Sequence, residues 1–230
     1  GQGKATGSPS YNTLTNPFTG VFDGQGFTIK GIRWTFNVEN ETTHLHGLFG
    51  AIKDATIKNL KLGAAGDQIT LAGTSQNVVS AGALAGYAEG STIVNVTNNV
   101  SVILTGDNPD ATLMMLAGIA GCIKSTTIGG ETKDDAVINN GDVKTGRITN
   151  TTNGGTGMNI GGICAFTLGA GTKLNYCTNN GEISAPTGRG GGLVGTLGGS
   201  TTEENGTVIA NSTNNGTIQD DAIGQYGGSK

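Results

Sequence analysis

Two acidic residues occupy equivalent positions in two repeated corner segments. Asp142 follows the Asn-Asn-Gly segment 139–141, and Glu182 follows the Asn-Asn-Gly segment 179–181. If the two segments stack as neighbouring strands, the carboxyl groups would lie roughly 5 Å apart, a separation that retaining glycosidases use. Neither acid has an aromatic residue within three positions. We therefore expect water to keep both carboxylates ionised, which leaves neither as a general acid at neutral pH.

The other acidic residues are dispersed along the chain. The pairs among them are Asp107 and Asp110, Asp134 and Asp135, Glu203 and Glu204, and Asp220 and Asp221. All of these pairs fall in predicted loops or near the end of the sequence, where solvated charge is the ordinary interpretation. Calcium binding at one pair is the alternative, although none matches a calcium-loop spacing such as D-x-D-x-D-G. We assign no catalytic residue and no metal site to these acids.

Histidine and cysteine are the remaining candidates for site chemistry. Because side chains of a strand alternate between its two faces, His44 and His46 would lie on the same face. A metal site needs further ligands, which the sequence does not supply. Cys122, Cys164 and Cys177 cannot all pair within the chain, and none lies in a C-x-x-C spacing. We predict that they are small buried hydrophobic residues, with a Cys164–Cys177 bridge as the alternative. The sequence predicts no cofactor.

Composition limits the fold and the partners. The chain of 230 residues has 42 glycines, 13% charged and 35% hydrophobic residues, which favours a thin core over a single wide one. The net charge is −4 and the basic residues are scattered singly, so no nucleic acid partner is predicted. No apolar run approaches the roughly 18 residues of a membrane span. The glycine-rich segment 188–192 is not followed by a predicted helix, which argues against a phosphate loop.

A Gly-aliphatic motif recurs along the chain. Its copies are 47–50, 83–86, 118–121, 162–165 and 192–195, and the central Leu or Ile recurs after 36, 35, 44 and 30 residues. Such repeats indicate a solenoid. The inward-facing residues are predicted to be Leu48, Leu84, Ile119, Ile163 and Leu193. Strand alternation would send the next residues, Phe49, Ala85, Ala120, Cys164 and Val194, to the opposite side, where we expect a loop to cover them.

A second motif lies between copies of the first. Its copies are 98–102, 139–143, 179–183 and 214–218, and Asn and Gly tolerate the left-handed backbone of tight corners. Stacked coils would align Asn98, Asn139, Asn179 and Asn214 at one corner, where amide ladders satisfy their own hydrogen-bonding groups. Segments 104–116 and 124–136 are predicted to be loops that bulge from the coils.

The N-terminal part contains the only tryptophan. Segments 27–30 and 32–36 alternate apolar and polar residues, which predicts strands with one solvated face. Trp34 has two interpretations, a core or end-cap residue of the first coil and an exposed aromatic platform for a sugar. Together the patterns predict an all-β parallel β-helix with elastic coils of roughly 30–44 residues. It would form one continuous domain, with an N-terminal segment and first coil at 1–46 and the repeats at 47–230.

The motifs also carry a family resemblance. The repeated Gly-Leu segment 47–50 and its relatives resemble the GLUG motif, and segment 18–32 is similar to the Phe-Asp-Gly segment that commonly precedes those repeats. The resemblance implies a right-handed parallel β-helix in an exported, adhesin-like bacterial protein, often as one module of a longer chain. It implies no catalytic residue. Ala83, Ala165 and Val100 depart from the pattern, so local distortion is expected in their coils.

These observations give one leading hypothesis and two alternatives. The leading hypothesis is a non-enzymatic, adhesin-like module outside the cell or on its surface, which binds or presents a site for glycans or surface proteins. The alternatives are a carbohydrate-active β-helix enzyme, either a polysaccharide lyase or a hydrolase, and a passive stalk of a larger surface protein. Fold alone does not separate them. The start at Gly1 is interpreted as a cut or processed edge.

Overall fold

The chain folds as a parallel β-helix, as the repeats predicted. The computed structural model describes residues 4–5, 14–38, 43–73, 78–105, 113–146, 158–168, 170–186, 188–198 and 206–220. In these residues the strands stack in parallel sheets with a repeating register. The helical structure within the described ranges is a single 3₁₀ turn at Lys133–Asp135. The repeats therefore form strands and corners, as their period and turn residues indicated.

The N-terminal part forms short strands ahead of the full coils. Strands β1 (Lys4–Ala5) and β2 (Leu14–Thr15) pair antiparallel with each other. Strands β3 (Val21–Asp23), β4 (Thr28–Ile29) and β5 (Arg33–Asn37) each pair in parallel with the coil that follows. These three strands therefore form a partial coil at the N-terminal end of the solenoid.

Five coils follow in the described residues, with strands in the same order. The first has β6 (Thr43–His46), β7 (Phe49–Lys53), β8 (Thr56–Leu62) and β9 (Gln68–Ala72). The second has β10 (Val78–Gly82), β11 (Ala85–Glu89), β12 (Thr92–Asn98) and β13 (Ser101–Leu104). The third has β14 (Leu113–Ala117), β15 (Ala120–Lys124), β16 (Thr127–Ile128), β17 (Val137–Asn139) and β18 (Val143–Lys144). The fourth has β19 (Met158–Gly161), β20 (Cys164–Leu168), β21 (Lys173–Asn175), β22 (Cys177–Asn179) and β23 (Ile183–Ala185). The fifth has β24 (Arg189–Gly191), β25 (Val194–Leu197), β26 (Val208–Ala210), β27 (Thr213–Asn214) and β28 (Ile218–Asp220).

Equivalent strands of successive coils form four sheets. The first sheet contains β6, β10, β14, β19 and β24, and the second contains β7, β11, β15, β20 and β25. The third sheet begins with β3 and β4 on β8, continues through β12, and is split in later coils into β16 with β17, β21 with β22, and β26 with β27. The fourth sheet contains β5, β9, β13, β18, β23 and β28. Each coil therefore crosses all four sheets once.

Aliphatic residues in register fill the interior. In the fourth sheet, Trp34 pairs with Ile69, which pairs with Val102, and this column continues through Val143 and Ile183. The last four residues are completely buried, whereas Trp34 is half-buried and packs against the end of the core. Trp34 therefore occupies the end-cap position that the sequence suggested.

The Gly-Leu motif lies at the bend between the first and second sheets. Leu84, Ile119, Ile163 and Leu193 are buried as predicted, whereas Leu48 is half-buried. The prediction that the next residues face the opposite side was wrong, because Ala85, Ala120, Cys164 and Val194 belong to the same core, and Phe49 packs against it. The chain bends between Leu84 and Ala85, and the backbone N–H groups of both residues donate to the carbonyl of Ile119 over 3.0 and 3.1 Å. Regular strand alternation is therefore interrupted at the bend, and both side chains face the core.

A second, smaller core lies between the first and second sheets. Its largest member is Tyr87, which is fully buried and packed in a cluster with Leu45, Met115 and Cys122. Desolvation raises the pKa of the Tyr87 phenol well above its ordinary value. The residues that strand alternation would expose on the first sheet are therefore covered by the second sheet.

The length differences between coils arise from loops. In the third coil, residues 129–136 interrupt the third sheet between β16 and β17, within the segment 124–136 that was predicted to bulge. Asn175 of the next coil donates from Nδ2 to the carbonyl of Gly130 over 2.6 Å, which fixes this loop to the solenoid wall. Of the other predicted bulge, residues 106–112 lie outside the described residues.

Candidate functional site

A column of asparagine side chains, the inner ladder, fixes one corner of the coils; its first three members are buried and the last is half-buried. It comprises Asn98, Asn139, Asn179 and Asn214, which pair in register as predicted. Nδ2 of each of the first three donates to the Oδ1 of the next asparagine in the column over 2.7–2.8 Å. Each Nδ2 also donates to the carbonyl two residues ahead, including that of Val100. Buried amides are thereby satisfied along the stack.

A second column, the outer ladder, lies beside the first on the surface. It comprises Asn99, Asn140, Asn180 and Asn215, whose Nδ2 groups donate to the preceding asparagine of the column over 2.8–2.9 Å. The outer ladder therefore has the opposite hydrogen-bond polarity to the inner one. Val100 keeps the corner that glycine forms elsewhere, because its N–H donates to Asn98 Oδ1 just as Gly141 N–H donates to Asn139 Oδ1. The distortion expected at Val100 is absent from this hydrogen-bond pattern.

The corner brings together the two acids that the sequence singled out. The backbone N–H of Glu182 donates to Asp142 Oδ1 over 3.0 Å, and Lys144 Nζ lies 3.0 Å from Asp142 Oδ2 and 2.8 Å from Glu182 Oε2. Hydrogen bonds to Glu182 and Asp142 raise the pKa of Lys144. The three side chains are 30–38% exposed, so water can reach the cluster. The three side chains form an ion-paired network on the outer wall. The sequence analysis did not predict that Lys144 takes part in it.

The other acidic candidates have separate places. Asp135 Oδ2 accepts hydrogen bonds from the backbone N–H and the hydroxyl of Thr132, which caps the 3₁₀ turn that contains Asp134. The remaining acidic candidates have side chains outside the described residues; they are Asp107, Asp110, Glu203, Glu204, Asp220 and Asp221. In the part of the chain that the structure describes, no three His, Cys, Asp or Glu side chains cluster in a way that could hold a metal ion.

The histidine and cysteine candidates are buried. His46 is 4% exposed and stacks on Phe36 with ring centroids 4.3 Å apart, whereas the side chain of His44 is outside the described residues. Cys122, Cys164 and Cys177 are buried free thiols, as predicted, and the alternative Cys164–Cys177 bridge is not formed. Burial raises the pKa of Cys177 to about 12 and moves those of the other two thiols well above the ordinary thiol value.

The structure also bears on the glycine-rich segment and on membrane spans. Segment 188–192 contains β24 of the first sheet, so its glycines form strand and bend, not a phosphate loop. Within the described ranges, no helix has the length and apolar composition needed to cross a bilayer.

A cleft of about 450 Å³ opens at the N-terminal end of the solenoid. It is lined by β5 residues Arg33, Trp34, Thr35 and Phe36 and by residues 45–48 of the first coil. The indole of Trp34 meets the ring of Phe36 edge-on, with centroids 6.3 Å apart. The cleft thus combines two half-buried aromatic residues with Arg33, an exposed basic residue of the same strand, a mixture typical of small-ligand sites.

Sequence reasoning connected only Trp34 of this cleft with a sugar ligand, whereas His46, which also lines the cleft, was considered only as a metal ligand. The sugar-platform interpretation of Trp34 pointed to it, but the neighbouring bend at Gly47 and Leu48 was interpreted only as scaffold. The two segments meet because β5 is the edge strand of the fourth sheet and the bend belongs to the next coil. That proximity depends on how the coils stack, which the local pattern does not contain.

In comparisons with known proteins, no family model, curated protein or solved structure matches the chain.

Proposed function

We propose that this chain is a non-enzymatic cell-surface module whose N-terminal cleft binds a glycan. The observation that carries the proposal is the cleft lined by Trp34, Phe36 and Arg33. Pyranose rings present C–H faces that pack on aromatic rings, and guanidinium N–H groups donate to sugar hydroxyl or carboxylate oxygens. The cleft therefore offers both an apolar platform and a polar anchor for one end of a sugar chain.

The scaffold supports a binding role in a second way. The amide groups of the inner ladder hydrogen-bond to one another. These amides therefore stabilise the fold and are not free to bind a ligand. At the cleft, by contrast, Arg33 is exposed and Trp34 is half-buried at the end of a core column. Large aromatic surface left at the end of a stable scaffold is a common device for ligand recognition.

Export to the bacterial surface is the other half of the proposal. It is supported by the resemblance of segments 18–32 and 47–50 to GLUG-repeat surface proteins. We expect an antibody against the chain to label intact cells of the source organism, and protease added outside those cells to remove the signal. Labelling that requires permeabilised cells would contradict this location.

A glycan array with the full chain tests the binding role. We expect binding to a limited set of sugars, weakened about tenfold by Arg33→Gln, which removes the guanidinium but lies outside the core. Trp34→Leu keeps an apolar residue at the core end, removes the flat ring, and should weaken binding further. Lys61→Gln is the matched control, because Lys61 is exposed on the third sheet away from the cleft. Glycan binding that survives both cleft substitutions, or no glycan binding at all, would contradict the proposal and favour a protein ligand or a stalk.

A further inference from the structure

The outer ladder contains a dipeptide with a reactive side chain. Asn140 and Asn180 are each followed by glycine, whereas Asn99, the first member of the ladder, is followed by Val100. In an Asn-Gly dipeptide the next backbone nitrogen can attack the asparagine amide readily, because glycine has no side chain to hinder the approach and its backbone is conformationally free. The third and fourth coils therefore carry a reactive dipeptide at the same exposed corner.

The stacking of the coils requires both residues of this dipeptide. The amide of each of the two asparagines donates to the preceding coil and accepts from the following one. A methyl group at Gly141 would collide with the carbonyl oxygen of Val100, and a methyl group at Gly181 would collide with that of Gly141. The reactive sequence is thus a consequence of how closely the coils approach each other at this corner.

The same contacts engage the reacting groups in the intact corner. Asn140 Nδ2 donates to Asn99 Oδ1 over 2.9 Å, and Asn140 Oδ1 accepts from Asn180 Nδ2 over 2.8 Å. The backbone N–H of Gly141, which carries the attacking nitrogen, donates over 3.2 Å to Oδ1 of Asn139, a completely buried residue. Attack therefore requires the Asn140 amide to leave the ladder and the Gly141 nitrogen to lose its partner, which happens only when the corner opens locally.

We propose that Asn140 and Asn180 are sites of spontaneous deamidation that the intact corner suppresses. In the opened corner the glycine nitrogen loses its proton to water or hydroxide and forms a bond to Cγ of the asparagine, and ammonia leaves Cγ. The product is a cyclic succinimide. Water then adds to one of its two carbonyl groups and opens the ring to aspartate or isoaspartate. The net reaction converts an amide and water to a carboxylate and ammonium, with no change of oxidation state.

The product favours further opening of the corner. An aspartate at position 140 can still accept from Asn180 Nδ2, but it has no N–H to donate to Asn99 Oδ1, so two oxygen acceptors face each other. It also adds a negative charge to a corner that already contains the carboxylates of Asp142 and Glu182. Because the ammonia is lost to solvent, the change is permanent and marks chains in which the corner has opened.

Peptide mapping of the full chain by mass spectrometry tests the inference. Folded chain and chain in guanidinium chloride are incubated at the same mildly alkaline pH, and the conversion of amide to acid is followed at Asn140 and Asn180. Other Asn-Gly dipeptides lie at 153–154, 205–206 and 215–216, so each site is measured on its own peptide. We expect conversion at Asn140 and Asn180 to be at least about tenfold slower in the folded chain. Asn99, before valine, should remain intact in both.

Two variants under native conditions connect the rate to the corner. Asn139→Ala removes the acceptor of the Gly141 N–H and one member of the inner ladder, and should speed conversion of Asn140 by at least about tenfold. Val79→Ala is the control, because it truncates a completely buried residue of the first sheet, and it should leave the rate close to that of the parent chain.

Three results would overturn the inference. The first is the absence of conversion at Asn140 and Asn180 in the denatured chain. The second is equal conversion in the folded and denatured chains, which would show that the corner gives no protection. The third is equal acceleration by Asn139→Ala and Val79→Ala, which would show that the two sites respond to global unfolding and not to opening of the corner.

Discussion

The side chain of Asn139 packs directly on the backbone of Gly118 across the interior of the third coil. A methyl group at Gly118 would collide with Cγ and Nδ2 of Asn139. The fourth and fifth coils repeat this arrangement, with Gly162 against Asn179 and Gly192 against Asn214. The first residue of the Gly-Leu motif therefore leaves the space that the ladder amide fills, and the two sequence motifs are parts of one packing unit.

Replacement of Gly118 by alanine should destabilise the fold by about 2 kcal/mol, because the added methyl must displace the Asn139 amide from its ladder position. The matched control is Ala83→Gly, since Ala83 occupies the same motif position one coil earlier and is completely buried. That change should cost only about 1 kcal/mol, from lost burial and increased backbone freedom. Urea denaturation of both variants measures the difference, and a neutral Gly118→Ala variant would refute the packing argument.

The two ladders should differ in their contribution to stability. Asn139→Ala removes a completely buried amide and leaves Asn98 Nδ2 and Asn179 Oδ1 without their ladder partner, which should cost about 3 kcal/mol. Asn140→Ala makes the same chemical change one residue later on the surface, where water replaces the lost bonds, and should cost less than about 1 kcal/mol. Equal losses in the free energy of unfolding would show that burial does not distinguish the ladders.

The sequence predicted the features that depend on repeat spacing. The recurrence of Asn98, Asn139, Asn179 and Asn214 gave the ladder register, and the repeated Leu or Ile gave most of the inward bend positions. These succeed because stacking aligns identical residues, so that one repeat predicts the next. The sequence did not predict the direction of the hydrogen bonds along each ladder, because an Asn-Asn pair is compatible with donation in either direction.

The errors arose where the backbone departs from regular alternation. Ala85 and its equivalents were expected to face away from the core, but the chain bends directly before Ala85, where the N–H groups of Leu84 and Ala85 both donate to the Ile119 carbonyl. Strand periodicity alone cannot locate such a bend, since glycines that could allow one occur throughout the chain. Lys144 was also missed as the partner of Asp142 and Glu182, because the corner register alone does not fix where a long side chain reaches.

Asp67 should contribute to stability at neutral pH and lose that contribution in acid. Its carboxylate accepts backbone hydrogen bonds from Ala64 and Gly31, each over 2.9 Å. The bond from Ala64 and the other backbone bonds lower the pKa of Asp67 below the ordinary value of 3.8. The stabilisation is therefore present above that ordinary value and is lost as the pH falls through the lowered pKa of the folded state.

Asp67→Asn should consequently be less stable than the parent chain near neutral pH, and the difference should shrink in strong acid. Thermal unfolding of the two proteins across this pH range measures it. Asp54→Asn serves as the control, because Asp54 is exposed in a turn. A stability difference that stays constant as the pH falls would contradict a role for the ionised Asp67 carboxylate.

The three free thiols should not react with thiol reagents in the folded protein. All three cysteines are buried, and the pKa of Cys177, the least perturbed of them, is about 12. Because the thiolate is the reactive form, native protein should not react with an aromatic disulfide reagent at mildly alkaline pH. After denaturation, all three thiols should react. Rapid labelling of the native chain would show that the coils open locally around the cysteines.

The last prediction concerns catalysis at the acidic corner. The purified chain should not cleave acidic or neutral polysaccharides, with or without added divalent metal. Asp142 and Glu182 lie close together, but both accept from the Lys144 ammonium on a partly exposed wall. General acid–base catalysis instead needs a carboxyl group that keeps a proton and reaches the scissile bond in an enclosed site. The assay compares the parent chain with Asp142→Asn, Glu182→Gln and, as a charge control, Lys58→Met. Sugar cleavage that either acid variant abolishes, while Lys58→Met retains it, would replace the binding-module proposal with a hydrolase or lyase centred on this corner.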